Sequence, residues 1–337
     1  MAELRWNPMI QDWVIIASHR QNRSNMPKDW CPFCPGKDKK VPEDYDVYDY
    51  NNDFPALSQN PPPPDAPLFG ETASDIYKAA PSYGKCEVIL FSPDHYGRLC
   101  DLSVAHIRRI VDLWSNRFNA MAADPKIKYV FIFENRGEMV GVTMPHPHGQ
   151  IYGYSKLPKK IELELYSARE FYDKEGKCLF CRINEEEKSF GERIVAENDS
   201  FITYVPFFAD YAYGTYVSCK SHKKNITEFT DKERNDLADM IKKITGAYDH
   251  LFANVHSFPY MMCMHNAPVN TEGIGDIDSY FHWHIEFYPT MRDSQRQQFM
   301  ASSETGVWAH CNPTVPEEKA AELREALERF EDISNQN

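Results

Sequence analysis

The chain carries one order of motifs twice, and this order most limits the folds that it can adopt. In the first half, the pair Cys31-Pro32-Phe33-Cys34 comes first, and a strand-like apolar run at residues 86–91 leads to His95. An amphipathic helical pattern then covers residues 103–121, and the segment His146-Pro147-His148 follows. The composition of the first run and the spacing of the second predict a strand and a helix between the two motifs.

The second half repeats this order with different residues. The pair Cys178-Leu179-Phe180-Cys181 precedes a strand-like run at residues 213–219, which leads to His222. A second amphipathic pattern at residues 230–250 and the segment His282-Trp283-His284 complete the series. The residue identities are too divergent to establish a repeat by themselves, but the matching order predicts a duplicated α+β module.

Two modules of ordinary size fit a chain of 337 residues, of which 42% are hydrophobic. We expect the first module at residues 1–158 and the second at residues 159–337. Further strands are predicted at residues 129–133 and 150–154, and a terminal helix at residues 316–333.

The formal net charge of −13 argues against broad binding to nucleic acid or to an anionic membrane, because both would repel the chain. The first residues have no apolar signal core, and no apolar run is long enough to span a bilayer. Nine cysteines that include two Cys-x-x-Cys pairs then favour metal binding in a reducing compartment over disulfides. We therefore expect a cytoplasmic protein that binds neither nucleic acid nor membranes.

The first Cys-x-x-Cys pair predicts a zinc site. Cys31 and Cys34 can chelate one ion, and thiolates favour zinc. A closed tetrahedron needs two more ligands, and the candidates are His95, at the end of a strand, and His146, just before one. The alternative is a pair of reduced cysteines with two unrelated histidines.

The segment from Pro145 to Gln150 predicts a nucleophile beside that zinc site. On an extended backbone, His146, His148 and Gln150 point to the same side. If His146 is fixed on zinc, His148 becomes an oriented imidazole, and a neutral imidazole is a competent nucleophile toward phosphorus. The alternative is that His148 is a second metal ligand or a buried histidine that only makes hydrogen bonds.

The chain resembles the galactose-1-phosphate uridylyltransferase family of the histidine-triad superfamily. The resemblance is carried by Phe133-Glu134-Asn135-Arg136-Gly137 together with the segment from Pro145 to Gln150. It extends over nearly the whole chain through further matches at residues 18–23, 51–54, 91–95, 258–260 and 265–268. It implies two histidine-triad-like modules with mainly antiparallel sheet and flanking helices, zinc as cofactor, and a homodimer.

The reaction that the resemblance implies is a ping-pong transfer of a uridylyl group. His148 would attack the α-phosphorus of UDP-glucose, and galactose 1-phosphate would then take the uridylyl group from the histidine. Gln150 would contact the transferred phosphoryl group. The implied substrate contacts are Arg20 and Arg23 for phosphate, supplied across the dimer interface, Asn52 and Asp53 on the uridine side, and Asn135 on the phosphate side.

The chain departs from the family pattern in two places. Thr143 and Met144 stand where Ser and Asn are common before the Pro-His-Pro-His segment. Near the C-terminus, the segment with Phe299 and Glu304 keeps the glutamate expected to contact sugar hydroxyls but changes its neighbours. We expect Thr143, Phe299 and Glu304 to contact substrate, and the altered neighbours affect the choice of hexose more than the nucleotidyl chemistry.

A second metal site has two alternative ligand sets. Duplication predicts zinc on Cys178, Cys181, His222 and His282, as in relatives that have two Cys-x-x-Cys pairs. Another version of the family uses a carboxylate and three histidines, which here would be Glu164, His265, His282 and His284. We prefer the first set, because a thiolate pair placed where the repeat predicts one has few other uses.

Two other functions compete with uridylyl transfer. A related nucleotide-sugar phosphorylase or adenylyltransferase uses the same His-Pro-His-Gly-Gln core with a different acceptor. A zinc-stabilised nucleotide-binding module without catalysis is the second alternative. The combination of His148, Gln150, Arg20 and Arg23 argues against it, because binding alone needs no oriented nucleophile.

Overall fold

The protein is described by a computed structural model that covers residues 2–22, 30–37, 39–64 and 75–336. Within these residues, a nine-stranded sheet forms the centre of the fold, and all its neighbouring strands are antiparallel. Across the sheet the order is β3 (Tyr48–Asn51), β5 (Gly84–Leu90), β7 (His148–Tyr154), β6 (Tyr129–Arg136), β11 (Tyr260–His265), β12 (His284–Pro289), β10 (Thr215–Cys219), β9 (Phe201–Tyr204) and β8 (Ile194–Glu197).

The sheet has the same strand order on both sides of its centre. Strands β6 and β11 pair there, with Met262 opposite Glu134. Outward from this pair, β6 is followed by β7, β5 and β3, and β11 is followed by β12, β10 and β9. The prediction of an α+β fold with a mainly antiparallel sheet is confirmed, and the mirrored order supports an internal duplication.

One face of the sheet is covered by two equivalent long helices, α1 (Val104–Ala122) and α4 (Asp231–Asp249), which pack against each other. Ser103 caps α1 and Thr230 caps α4 through side-chain acceptors for backbone N–H groups. The buried residues of both helices join inward-facing strand residues in one core, which includes Trp114, Ile132, Ile151, Ile241 and Ile285. A C-terminal helix, α7 (Pro316–Gln336), packs on α4.

The opposite face of the sheet carries the polar groups of interest. It is flanked by a small sheet of β2 (Asp12–Ala17), β1 (Ala2–Asn7) and β4 (Ala79–Pro81), and by α2 (Lys159–Glu175) and α3 (Leu179–Phe190). Two short helices, α5 (Ile277–Tyr280) and α6 (Ser302–Val307), lie in the C-terminal half. Because side chains alternate along a strand, residues that follow His148 at every second position share this face.

The elements predicted from the sequence are confirmed, with shifts at their ends. The strand expected at residues 129–133 continues to Arg136, and the one expected at residues 150–154 already begins at His148. The last helix reaches Gln336. In the part of the chain that the structure describes, no helix combines the length and the apolar character needed to cross a membrane.

Candidate active site and metal centres

The first Cys-x-x-Cys pair lies beside two histidines, as predicted. Cys31, Cys34, His95 and His146 bring four possible ligand atoms within 4.8 Å of one another. The Cys34 sulfur lies 3.3 Å from Nδ1 of His95 and 3.7 Å from Nδ1 of His146. Two sulfurs and two imidazole nitrogens around one point are the donor set that tetrahedral zinc prefers.

Hydrogen bonds hold the His146 ring with its Nδ1 toward the thiols. On the other side of the buried ring, Nε2 lies 2.8 Å from the carbonyl oxygen of Ser92 and 3.0 Å from the Tyr45 hydroxyl. A donor bond from Nε2 to a carbonyl leaves Nδ1 as the ligand atom, the arrangement typical of metal-binding histidines. Burial lowers the pKa of His146 to about 4, so the ring is neutral at physiological pH.

The electrostatics of the thiols also favour a cation. The pKa of Cys34 is raised to about 11, mainly because the thiol is buried and secondly because Cys31 lies beside it. Without a compensating positive charge, such a thiol stays protonated at neutral pH. A bound metal ion reverses this preference because thiolates bind the ion directly.

The second Cys-x-x-Cys pair forms an equivalent cluster with His222 and His282, and its four possible ligand atoms also lie within 4.8 Å of one another. The Cys181 sulfur is 3.3 Å from Nδ1 of His222 and 3.4 Å from Nδ1 of His282. His282 is buried like His146, and its Nε2 lies 2.9 Å from the backbone carbonyl oxygen of Cys219, at the end of β10. The structure thus assembles the preferred ligand set for the second site.

Three residues of the alternative set, Glu164, His265 and His284, lie together, and the fourth, His282, does not join them. His282 belongs to the thiolate cluster, and Glu286 joins Glu164, His265 and His284 in a separate third cluster. His282 precedes β12 and turns toward the cysteines, whereas His284 begins the strand and lies in one cluster with Glu286, His265 and Glu164.

His148 begins β7 and is held by the residue that carries the first cluster. Its Nδ1 lies 2.8 Å from the backbone carbonyl oxygen of His146, so Nδ1 carries the proton that is donated there. In that tautomer, Nε2 holds the lone pair. The ring of Phe33, from inside the Cys-x-x-Cys loop, packs 5.8 Å from the His148 ring, centroid to centroid. Sequence reasoning missed Phe33, although a Phe at the same place of both pairs was a signal.

His148 opens onto a cavity of about 320 Å³. Gln150 lies there with its Oε1 accepting a hydrogen bond of 3.0 Å from Tyr152, which fixes the amide nitrogen as the donor end. Other lining residues include Arg20, Asn135 and Thr143. An arginine and amide donors beside a nucleophile suit a transferring phosphoryl group.

Arg20 reaches this cavity within its own chain. The turn that carries it, Ser18–Asn22, follows β2, and its supply across a dimer interface stays a prediction. Arg23, the second implied phosphate contact, lies outside the residues that the structure describes.

The residues expected on the uridine side follow the edge strand β3. Lys40 forms an ion pair of 2.7 Å with Asp53, which also accepts a hydrogen bond from Tyr50, and Asn52 accepts one from the backbone of Phe54. The centroid of the Phe33 ring lies 5.8 Å from the centroid of the Tyr50 ring and 5.8 Å from that of the His148 ring. Phe33 thus links this edge of the sheet to the nucleophile.

Phe299 and Glu304, expected to contact the sugar, are not among the residues that line the His148 cavity. Phe299 is 72% exposed, and the Glu304 carboxylate accepts the backbone N–H of Ala301 at the start of α6. In the described chain, the predicted sugar segment and the nucleophile are therefore separate.

Two family models match the chain. The N-terminal domain of galactose-1-phosphate uridyl transferase matches residues 1–158, and the C-terminal domain of the same family matches residues 164–332. A galactose-1-phosphate uridylyltransferase of Thermotoga maritima is 40% identical over 96% of this chain and 98% of its own length.

Solved structures give the same relationship. One described as the structure of uridylyltransferase has a TM-score of 0.87 at 31% identity and covers 97% of this chain and 99% of that one. An ADP-glucose phosphorylase from Arabidopsis thaliana, with ADP-glucose bound, has a TM-score of 0.72 at 23% identity over 96% and 99% of the two chains. At that identity it is evidence for a shared fold alone.

Gly149, between His148 and Gln150, provides a test of the packing behind the site. A Cβ at this position would lie 2.8 Å from the Phe91 ring and 3.1 Å from the Phe133 carbonyl oxygen. We expect Gly149→Ala to lower the free energy of unfolding by about 1–3 kcal/mol, as overpacking does, in chemical denaturation. Gly306→Ala is the control, because no atom lies within 4 Å of the added group. Equal stability of the two variants would show that β7 tolerates the extra methyl group.

Proposed function

The chain belongs to the galactose-1-phosphate uridyl transferase family, and we propose that it transfers a uridylyl group between UDP-glucose and galactose 1-phosphate. The observation that carries this proposal is the His148 ring, held through Nδ1 by the His146 carbonyl at a cavity with Arg20 and Gln150. A module that only binds nucleotides has no need of a nucleophile oriented in this way.

The reaction proceeds in two equivalent steps. Nε2 of His148 forms a bond to the α-phosphorus of UDP-glucose while the bond from that phosphorus to the glucose 1-phosphate oxygen breaks. Galactose 1-phosphate then attacks the same phosphorus, which releases Nε2 and forms UDP-galactose. Each leaving sugar phosphate is a weak base, since the second pKa of a phosphate monoester is about 6, so no strong general acid is required.

The chain's contribution is position and charge. Arg20 can neutralise charge that builds up on the transferred phosphoryl oxygens, and Gln150 can donate a hydrogen bond without adding charge. Asn135 and Thr143 line the same cavity and are proposed as phosphate-side contacts. Asn52 and Asp53 are proposed on the uridine side, because Phe33 connects their end of β3 to the nucleophile. Arg23 remains a proposed phosphate contact from sequence alone.

Zinc is proposed for both Cys-x-x-Cys clusters. The cluster of Cys31, Cys34, His95 and His146 supplies four protein ligands, so an ion there would hold structure and orient His146. The same holds for Cys178, Cys181, His222 and His282. All nine cysteines are free thiols, which supports a reducing cytoplasm as the place of action. We also propose that residues 1–158 and 159–337 are the two modules, supported by the mirrored strand order.

We propose a homodimer in which Phe299 and Glu304 of a second copy complete the hexose end of the site. Two facts support this: both residues belong to a segment with exposed apolar side chains, including Phe299, Val307 and Trp308, and neither residue lines the cavity of its own chain. Exposed aromatic and aliphatic residues are common at subunit interfaces.

The covalent step can be tested with UDP-glucose radiolabelled at the phosphorus next to uridine. We expect the protein to retain label that is labile in acid and stable in base, as a phosphorus–nitrogen bond is. His148→Gly should lose both label and exchange activity, because it removes the nucleophile, while its circular dichroism spectrum stays that of the wild type. Full exchange activity in His148→Gly would falsify the proposal.

The zinc assignment is tested by metal analysis. Cys31→Ser, His95→Asn and Cys181→Ser should each lower bound zinc by about one equivalent and reduce the melting temperature, because metal binding is coupled to folding. Cys311→Ser, at an exposed cysteine outside both clusters, is the control and should leave zinc unchanged. Unchanged zinc in the three ligand variants would reject the ligand sets.

The shared site is tested by mixing two inactive variants. His148→Gly and Glu304→Gln chains, co-expressed so that they exchange freely, should recover about a quarter of wild-type activity. Half of the dimers would be mixed, and each of these would hold one intact site. Each variant expressed alone is the control. No recovery in the mixture, with mixed dimers demonstrated, would mean that Glu304 acts within its own chain.

A further inference from the structure

The second module has a histidine in the position that the nucleophile holds in the first. His284 begins β12 as His148 begins β7, and each is the second histidine of a His-x-His segment. Nδ1 of His284 lies 3.1 Å from the carbonyl oxygen of His282, the counterpart of the 2.8 Å contact between His148 and His146. The duplication thus preserved the orientation of both rings.

The surroundings of the two rings differ. The His284 side chain is only 2% exposed, and its ring is stacked between Phe180, at 5.0 Å, and Tyr216, at 5.7 Å. Its Nε2 faces Glu286 at 3.4 Å, where the first module has Gln150 two residues after His148. A substrate phosphate has no room in this position, and a carboxylate there would repel it.

Glu286 is the centre of the third cluster, which we define as Glu164, His265, His284 and Glu286. Its side chain is 2% exposed, and a buried carboxylate is costly unless a positive charge compensates it. Lys160 places its Nζ 2.5 Å from the Glu286 carboxylate and also bonds the Tyr288 hydroxyl, which itself donates to Glu286. The compensating charge is therefore supplied by the chain.

Lys160 and Glu164 reach the cluster from the same face of α2, one turn apart. Glu164 lies 3.0 Å from Nδ1 of His265, and Nε2 of His265 lies 3.5 Å from Glu286. These polar contacts tie α2 to β11 and β12.

A divalent ion fits this cluster less well than it fits the thiolate sites. A metal bound at about 2.0–2.2 Å to the Glu286 oxygen that Lys160 contacts would lie within about 5 Å of the Lys160 ammonium, and the two positive charges would repel each other. In both Cys-x-x-Cys clusters, by contrast, the histidine Nδ1 atoms point toward the sulfurs.

We propose that Lys160 is the built-in cation of the third cluster, so that this cluster folds without a metal ion and leaves metal binding to the two thiolate sites. Beside His284, which corresponds in position to His148, an ion pair between Lys160 and Glu286 joins α2 to the sheet. A carboxylate-and-histidine metal site, the alternative that the family resemblance raised, is therefore replaced here by an internal ion pair.

The test measures metal content of the full-length protein after equilibration with a slight excess of Zn²⁺ or Fe²⁺ and removal of unbound ion. We expect Glu286→Gln to hold as much metal as the wild type. Lys160→Met should gain about one equivalent, because it frees the carboxylates and imidazoles. The double variant Lys160→Met/Glu286→Gln should lose that gain. Lys159→Met, at the neighbouring lysine that pairs with Glu162, is the matched control and should gain nothing.

Two results would overturn the proposal. One is a wild type that holds one more equivalent of metal than the two thiolate clusters bind, as measured from the zinc lost in Cys31→Ser and Cys181→Ser, with this extra equivalent missing in Glu286→Gln. The other is a folded Lys160→Met that gains no metal. If Lys160→Met does not fold, the wild type and Glu286→Gln still decide the question by their metal content. None of these measurements uses enzymatic activity, so they are independent of the proposed reaction.

Discussion

The hydrogen bond between the His148 ring and the backbone carbonyl of His146 is the contact on which the site depends. The side chain of His146 faces the first thiolate cluster and its carbonyl faces the His148 ring, so one residue connects the proposed zinc site to the proposed nucleophile. Pro147 between them restricts the backbone, and Gly149 after them permits close packing on Phe91. The metal is thereby proposed to orient the nucleophile without touching the substrate.

The two proposed modules share one arrangement around a histidine. Both place a histidine at the start of a central strand with its Nδ1 on the preceding carbonyl. In the first module, Gln150 and an open cavity make that ring accessible to a phosphoryl group. In the second, Glu286 and Lys160 fill the equivalent space and fasten α2 to the sheet. The proposed catalytic role of the first site and the proposed stabilising role of the second therefore differ by a few side chains around a similar backbone.

The central strands, the long helices and the two thiolate clusters could be predicted from the sequence, because strand alternation and motif order can be read directly from it. They placed His146 beside the cysteines and gave both thiolate clusters. The helices α2 and α3 went unpredicted; they bury few residues, which are Ile161, Leu165 and Ala168 in α2 and Glu187 in α3. Phe33 and Glu286 were missed because their importance depends on contacts with distant strands. Arg20 was expected across an interface, and only the fold shows that it reaches the cavity of its own chain.

We propose that His148 is held with its proton on Nδ1 and reacts through Nε2. Nuclear magnetic resonance of protein with ¹⁵N-labelled histidine rings, before and after addition of UDP-glucose, tests it most directly. We expect His148 to show a protonated Nδ1 and an unprotonated Nε2 at first, and then coupling between Nε2 and phosphorus. A proton on Nε2 in the free protein, or phosphorus coupled to Nδ1 or to another residue, would contradict the account.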